Sequence, residues 1–378
     1  VPMTKRYCIF ITALFCAFLG LFLAANALSP DRDFSQLENR ALQQLPAPSV
    51  KTLVSGAFMS DFETYVNDQF VLRDGWIALK SATELALGKQ ENNGVYFGKQ
   101  GTLITHFQAP DAGKVTNNLS YVNKFVENVD IPVYFSLIPT QACIWADRLP
   151  EGAPNASQTD LLTQAQAATQ ANWYDTYPSL WAHRDEDIFY RTDHHWTSLG
   201  AYYGYTALAD AMGLEPVPLS EYAKTTVSTA FYGTVFSSSG VRWVRPDVID
   251  TYVPDDGITV TSYTYDKNGN PVEEPRQLYD KSFLAVKDKY AMFLGGQQSL
   301  GVIRTGREGP KLLLIRDSYT DSLAPFLTAH YSEIHLIDLR YYKLSVADYI
   351  KQNGIDAAVV LYSVPNFVTD SNLVWLGR

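Results

Sequence analysis

Two short segments hold the side chains best suited to chemistry, Asp193-His194-His195-Trp196 and Arg316-Asp317-Ser318-Tyr319. The first offers a carboxylate and two imidazoles on one tight loop. The second offers a serine just past the apolar run Leu312–Ile315 and ahead of an apolar helix. A serine nucleophile needs a base to take its proton and a group to orient that base, and the two segments supply all three. Asp193 and His195 are two residues apart, so in an extended segment their side chains project to one side. The carboxylate can then fix one imidazole nitrogen and leave the other to accept the serine proton. His194 is expected to point the opposite way, and Trp196 to pack and stiffen the loop.

Each segment also has a plainer reading. Asp317 or Ser318 could cap the following helix with no chemistry at all. A serine at a helix N-terminus would equally have free backbone N–H groups, its own foremost, to hold a developing oxyanion. Asp193, His194 and His195 could ligate a metal, as in phosphoesterases whose signature contains Asp-His-His. Such a site needs more carboxylates, and Asp185-Glu186-Asp187 is the one loose candidate. A binding module that stacks its 24 tyrosines on sugars is a third possibility.

The elements that must position these groups can be read in outline. The final third alternates strand and helix: strand Lys311–Ile315, helix Tyr319–Ala329, strand Ile334–Leu339, helix Val346–Gln352 and strand Ala357–Tyr362. That rhythm predicts right-handed βαβ units on a parallel sheet. Ile131–Ile138 reads as another buried strand, with Pro139-Thr140-Gln141 at its carboxyl end, followed by a helix over Gln158–Thr169. A short strand at Ile188–Tyr190 leads into the Asp193 loop, and Thr197 or Ser198 caps a helix that stops at Gly213. Ligands of parallel sheets bind beyond the carboxyl ends of the strands. Ser318, Arg340-Tyr341 and Ser363 to Asn366 all fall there, so one rim should gather them. On that ground Arg340 and Asn366, with Tyr319 beside the serine, are candidates for oxyanion or substrate contacts.

Residues 225–305 break the rhythm. Ile258–Tyr265 alternates, Asn268-Gly269 is a strong turn signal and helix signals vanish, so a β-rich insertion is expected. Upstream, Asn92-Asn93-Gly94 and Lys99-Gln100-Gly101 mark turns around a strand at Val95–Phe97. Helices are expected from about Ser60, where Phe62, Tyr65, Val66 and Phe70 share a face, and over Asp74–Leu87 up to Gly88.

From Tyr7 to Leu28 the chain is apolar and uncharged, with Lys5 and Arg6 ahead of it. That length spans a bilayer core, and flanking basic residues stay on the cytoplasmic side, so residues 1–28 read as a signal anchor and the rest as extracytoplasmic. Ala25-Asn26-Ala27 would also suit a signal peptidase, while bulky Leu14-Phe15 before Cys16 argues against a lipoprotein. Ser29–Val50 reads as a tether, leaving 51–378 for one catalytic domain. A net charge of -10 argues against nucleic acid. Cys143 stands alone outside the apolar run, which precludes a disulfide framework there and fits a small buried residue.

The Asp193-His194-His195-Trp196 tetrad and the Thr-Ser-Leu-Gly-Ala-Tyr-Tyr stretch after it resemble the motif that names the DHHW protein family. The likeness extends to Glu38-Asn39-Arg40, Asn93 to Gly98, Tyr232-Gly233-Thr234, Arg316 to Tyr319 and Asp338 to Tyr342. That family is similar to the SGNH-hydrolase-like proteins that acetylate alginate in the periplasm, where an Asp-x-His-Trp loop precedes the serine in circularly permuted order. The resemblance implies an α/β fold with a parallel sheet flanked by helices, with Asp193 as orienter, His195 as base and Ser318 as nucleophile. It implies no cofactor and no metal, a polysaccharide acceptor, and an MBOAT-type membrane acyltransferase as acetyl supplier. An acetyl esterase or a non-catalytic glycan-binding scaffold would fit the same resemblance. One departure stands out, since the family's usual Gly-Asp-Ser reads Arg316-Asp317-Ser318. No further carbohydrate-binding module follows before Arg378, which leaves the glycan open.

Overall fold

An apolar, uncharged run can satisfy its backbone without water only as a helix, and here it forms α1 (Lys5–Leu28), none of whose residues is buried by protein. The computed structural model describes residues 4–265 and 271–378. Asn268-Gly269, expected as a turn, lies outside them. The chain divides into two compact units, one of residues up to Lys89 with Gly240–Arg242, the other of Gln90–Ser239 and Trp243–Arg378.

In the first unit, α1 is followed by the short antiparallel strands β1 (Phe34–Ser35) and β2 (Arg40–Ala41), then by α2 (Val50–Val54), α3 (Ala57–Asp68) and α4 (Arg73–Ala86). The segment read as a tether is therefore folded. Asp68 is buried, and its carboxylate accepts from Arg40 Nη1 at 2.8 Å and from the Gln43 backbone N–H at 2.9 Å. Hydrogen bonding to Arg40 holds Asp68 below the usual carboxylate range despite its burial. Glu38 in turn binds Arg73 at 2.9 Å. These ion pairs tie α3 and α4 to the preceding segment, so the unit boundary falls at Lys89 rather than at Val50.

The second unit opens with β3 (Glu91–Asn92), β4 (Val95–Phe97) and β5 (Leu103–Thr105), an antiparallel trio. Asn93 and Gly94 both have positive φ, 51° and 77°, the backbone a two-residue hairpin turn requires. Next come α5 (Ala112–Asn128), β6 (Val133–Ile138), α6 (Gln141–Ile144), α7 (Gln158–Ala168), β7 (Asn172–Trp173), α8 (Tyr177–Ala182) and α9 (Ser198–Ala211). Residues 225–305 carry β8 (Thr225–Phe231), α10 (Thr234–Ser239), β9 (Asp247–Thr251), β10 (Thr259–Tyr265), β11 (Pro271–Arg276) and β12 (Leu300–Arg304). The chain ends with β13 (Lys311–Arg316), α11 (Thr320–Leu327), β14 (Glu333–Ile337), α12 (Val346–Asn353), β15 (Ala357–Ser363) and α13 (Val364–Thr369).

Eight strands form the main sheet in the order β11-β10-β12-β14-β13-β15-β6-β7. From β14 to β7 all neighbours run parallel, as the strand–helix alternation predicts. The cores of β13 and β15 are apolar because a central parallel strand is buried on both faces, and Leu312–Ile315 and Ala358–Leu361 are fully buried. Residues 225–305 differ from the expectation in two ways. They contain α10, and three of their strands extend the main sheet through the antiparallel pair β12–β14. Ile188–Tyr190 also differs. It makes a single antiparallel bridge, Phe189 to Trp196, and pairs with its own return limb through Tyr190 N to His195 O at 3.2 Å and Thr197 N to Ile188 O at 2.9 Å. Three residues are too few to reach the sheet and make this turn as well.

Candidate active site

Trp196 decides where the Asp193 loop sits. Its indole is fully buried, and Nε1 donates to Tyr319 O at 2.9 Å and Ser322 Oγ at 3.0 Å. α9 can approach the ring only because it lacks side chains facing it. A Cβ on Gly204 would lie 2.6 Å from the indole, and one on Gly200 would lie 2.1 Å from Ile188 O. Tyr319 completes the latch by donating its hydroxyl to His194 O. The Asp193 loop is thus fixed against the start of α11, which the sequence alone does not reveal.

That docking brings the expected groups together. His195 Nε2 lies 2.8 Å from Ser318 Oγ, and His195 Nδ1 lies 2.6 Å from Asp193 Oδ1. An ionised carboxylate only accepts, so Nδ1 carries its proton and Nε2 is left to accept from the serine. Asp193 is almost completely buried, yet its second oxygen accepts from Thr234 N at 2.8 Å and Thr234 Oγ1 at 3.0 Å. Burial alone would raise this carboxyl; the neighbouring imidazoles and the Thr234 backbone hold it well below the usual range instead. The approach of Thr234 depends on Gly233, where a Cβ would lie 2.2 Å from that of Asp193.

His194 does not point away. Its Nδ1 lies 2.6 Å from Thr234 Oγ1, and its ring is 3.8 Å from that of His195. Desolvation and the adjacent imidazole push it down to about 4, so at neutral pH it is uncharged. The structure thus corrects the expectation that it points the opposite way from Asp193 and His195.

Ser318 does not cap α11. Asp317 takes the local role: Oδ1 accepts from Tyr319 N at 3.0 Å, and Oδ2 accepts from Ser363 N, Ser363 Oγ and Asn366 Nδ2 at 2.8, 2.7 and 2.8 Å. Asn366 is thereby held at the end of β15, while Ser318 N–H has no partner among the described residues. Arg340 sits past β14, but its guanidinium is folded back in a two-pronged bond to Asp338, at 3.0 and 2.6 Å. Arg316 points into the core and pairs with buried Asp321 at 2.7 Å. Desolvation pushes the Asp321 carboxyl up to about 7 even beside that cation.

Three contributors are invisible in the local motifs. Tyr290 lies flat on His195, and its hydroxyl donates to Ser318 O at 3.0 Å. Thr234 clamps Asp193. Gln141 Nε2 donates to both Tyr190 O and Asp193 O at 2.6 Å. The glycine of Tyr232-Gly233-Thr234 was the one available signal, since it marks a close backbone approach.

Beside Ser318 opens a cleft of about 390 Å³, walled by His106, Phe107, Gln141, His194, Tyr319 and Asn366. A larger groove of about 540 Å³ lies over β10, β12, β14 and α12, remote from these groups. Size does not decide between them, because the smaller cleft is walled by His194 and Tyr319, the chain neighbours of the paired base and nucleophile. Asp193, His194 and His195 offer ligand atoms within 4.8 Å of one another. Yet Asp193 Oδ1 and His195 Nδ1 already hydrogen-bond each other, which leaves no room for an ion between them. The arrangement can deprotonate a serine and hold an oxyanion.

Fold and site together define a mixed α/β protein with a large sheet and a serine–histidine–aspartate constellation on its rim. A model of the DHHW protein family matches residues 128–337, more than half of the chain, and the chain belongs to that family. A crystal structure of a DHHW family protein from Eubacterium siraeum is 29% identical and superposes with a TM-score of 0.64, covering 75% of this chain and 95% of that one. PatB1 of Bacillus cereus, solved with a sulfonyl adduct, is 20% identical with a TM-score of 0.61 over 74% of this chain and 97% of that one, a likeness of fold. Among curated proteins, the probable alginate O-acetylase AlgJ of Pseudomonas putida is 25% identical over 209 residues, 52% of this chain and 51% of AlgJ. Its counterpart in Pseudomonas syringae is 26% identical over 245 residues, 61% of this chain and 59% of that protein. The chain spans between half and three fifths of the length of these curated relatives.

Proposed function

We propose that this chain is an extracytoplasmic O-acetyltransferase that esterifies hydroxyls of a cell-surface or exported polysaccharide. The reading is carried by the unbroken relay from Asp193 through His195 to Ser318, at 2.6 and 2.8 Å. The names of the AlgJ relatives support the reaction class. In this reading the second unit is an SGNH-hydrolase-like domain in circularly permuted order, with acid and base ahead of the serine and residues 225–305 as its β-rich insertion. Residues 1–28 anchor it, with Lys5 and Arg6 on the cytoplasmic side. An MBOAT-type membrane acyltransferase supplies the acetyl group.

Ser318 Oγ attacks the acetyl carbonyl of the donor as its proton passes to His195 Nε2. The oxyanion is held by Ser318 N–H and by the Asn366 amide hydrogen that Asp317 leaves free. Collapse expels the donor's leaving group, which takes the proton from His195, and acetyl-Ser318 remains. A sugar hydroxyl in the cleft then loses its proton to His195 and attacks. The tetrahedral intermediate breaks to sugar ester, and the proton returns to Ser318. Tyr319 and, at the outer rim, Arg340 are assigned to contacts with the glycan.

Turnover of a chromogenic acetyl ester is the test. Ser318→Ala and His195→Ala should each lose about 10³-fold or more in kcat. Undiminished turnover in both variants sinks the assignment. Acetylated oligosaccharide seen by mass spectrometry on adding acceptor supports transfer; free acetate alone makes the protein an esterase.

A further inference from the structure

Alpha helices α2, α3 and α4 carry more bare apolar surface than any neighbour in the first unit covers. Val54 is 85% exposed, Met59 61%, Leu72 74%, Trp76 42% and Leu79 56%. These side chains are not scattered. In α4, Trp76 and Leu79 are three residues apart on one face, and exposed Leu72 stands just ahead of the helix. In α3, Met59, Phe62 and Val66 fall at i, i+3 and i+7 on one face, and the stripe leaves Asp61 and Thr64 on the other side. A folded unit in water rarely leaves two adjacent helices with such stripes bare.

What covers them is indicated by α1. Its last turns touch other residues of the unit. The Phe22 ring stacks on Phe70 with centroids 5.9 Å apart and planes 6° apart, and it lies 5.9 Å from the Trp76 ring. Asn26 Oδ1 accepts from Val71 N at 2.8 Å. Phe22 is six residues before the end of the apolar run, which at 1.5 Å per residue puts it about 9 Å below that end. The α3–α4 turn is therefore pinned beside α1 at the depth where headgroups give way to acyl chains. Interfacial helices bury their apolar faces to that same depth of about 5–10 Å.

We infer that α3 and α4 lie in the outer face of the membrane crossed by α1, with the Met59–Phe62–Val66 and Leu72–Trp76–Leu79 stripes facing lipid. This rests on α1 being a retained membrane anchor. The occupant of the stripes is a lipid surface. Residues 50–87 hold five acidic and three basic side chains, so attraction to anionic headgroups does not drive the contact. Apolar burial and the pinning by α1 do.

The test uses the full chain in phosphatidylcholine vesicles, with Cys8, Cys16 and Cys143 replaced by serine or alanine and single spin labels placed by Phe62→Cys, Leu79→Cys, Asp61→Cys and Leu14→Cys. Collision with oxygen, which concentrates in lipid, should exceed collision with a water-soluble nickel chelate at residues 62 and 79, as at 14 within α1. Residue 61 should show the reverse. Replacing half the lipid with phosphatidylserine should leave this pattern unchanged. Water-accessible labels at 62 and 79, with 14 still in lipid, overturn the inference and leave the anchor intact. A label at 14 also in water overturns the anchor itself. Labels at 62 and 79 shielded from both reagents overturn the inference in favour of a protein partner on the stripes.

Discussion

The ring of Tyr290 lies against the imidazole of His195, with centroids 3.7 Å apart and planes 7° apart, while its hydroxyl reaches Ser318 O at 3.0 Å. One side chain therefore touches both the base and the nucleophile's backbone. Tyr290→Phe keeps the stack and loses the hydrogen bonds to Ser318 O and Ser322 Oγ, so it should cost about 2 kcal/mol of stability and lower kcat by roughly tenfold or less. Tyr290→Ala frees the imidazole to turn and should lower kcat by about 100-fold. Steady-state kinetics on an acetyl ester, with thermal unfolding alongside, separate the two.

Gly233 and Thr234 give a second comparison. Thr234→Ala deletes the hydroxyl that serves Asp193 and His194 but keeps the backbone N–H, so a loss of about 1 kcal/mol is expected. Gly233→Ala puts a methyl 2.2 Å from Asp193 Cβ and must displace the loop. It should be the more damaging of the two in both melting temperature and kcat, although glycine offers no functional group. Equal effects would mean that the loop yields easily.

Burial of Arg316 with Asp321 makes a third. Arg316→Leu leaves an unpaired buried carboxyl and should cost about 3–5 kcal/mol, whereas Arg316→Leu with Asp321→Leu should come within about 1 kcal/mol of the parent. The pH sign follows from the raised Asp321 carboxyl. Between the unfolded value of about 3.9 and the folded value of about 7, the unfolded chain ionises while the folded one does not. Stability from this group therefore falls as pH rises through that window. The single variant should regain part of its loss near pH 4 in denaturant titrations.

Asp193 has the opposite sign. Its carboxyl is held below the usual range in the folded chain, so its contribution is full above about pH 3.9 and is lost as pH falls toward the folded value. The stability gap between the parent and Asp193→Asn should therefore be wide at pH 6 and narrow at pH 3. A gap that widens on acidification would show that Asp193 is not the ionised partner of His195.

Much of the sheet was legible in the sequence because a parallel strand buried on both faces has to be apolar throughout. Leu312–Ile315 and Ala357–Tyr362 could hardly be anything else, and the rim rule then grouped Ser318 with Asn366. The Asp193–His195 pairing was legible from a spacing of two. Tyr290 was not, because a tyrosine in an irregular segment carries no periodic signal and its partner lies 95 residues away in sequence. His194 was misread for a related reason. Strict alternation holds in a strand, but residues 191–195 bend, which lets neighbouring side chains share one side. Arg340 satisfies the position rule, but Asp338, two residues away, takes its Nε and Nη2 and leaves Nη1 for the glycan, a contact that a rim argument does not weigh.

The hydrogen bonds of Trp196 to Tyr319 and Ser322 span more than 120 residues of chain. Contacts of such sequence separation close late, because the loop they seal must first lose its conformational freedom. The relay therefore does not exist in a partly folded chain, since His195 has no serine to deprotonate until α9 and α11 have docked through the indole. A chain whose last third has not yet folded holds the imidazole and the hydroxyl apart and is chemically silent.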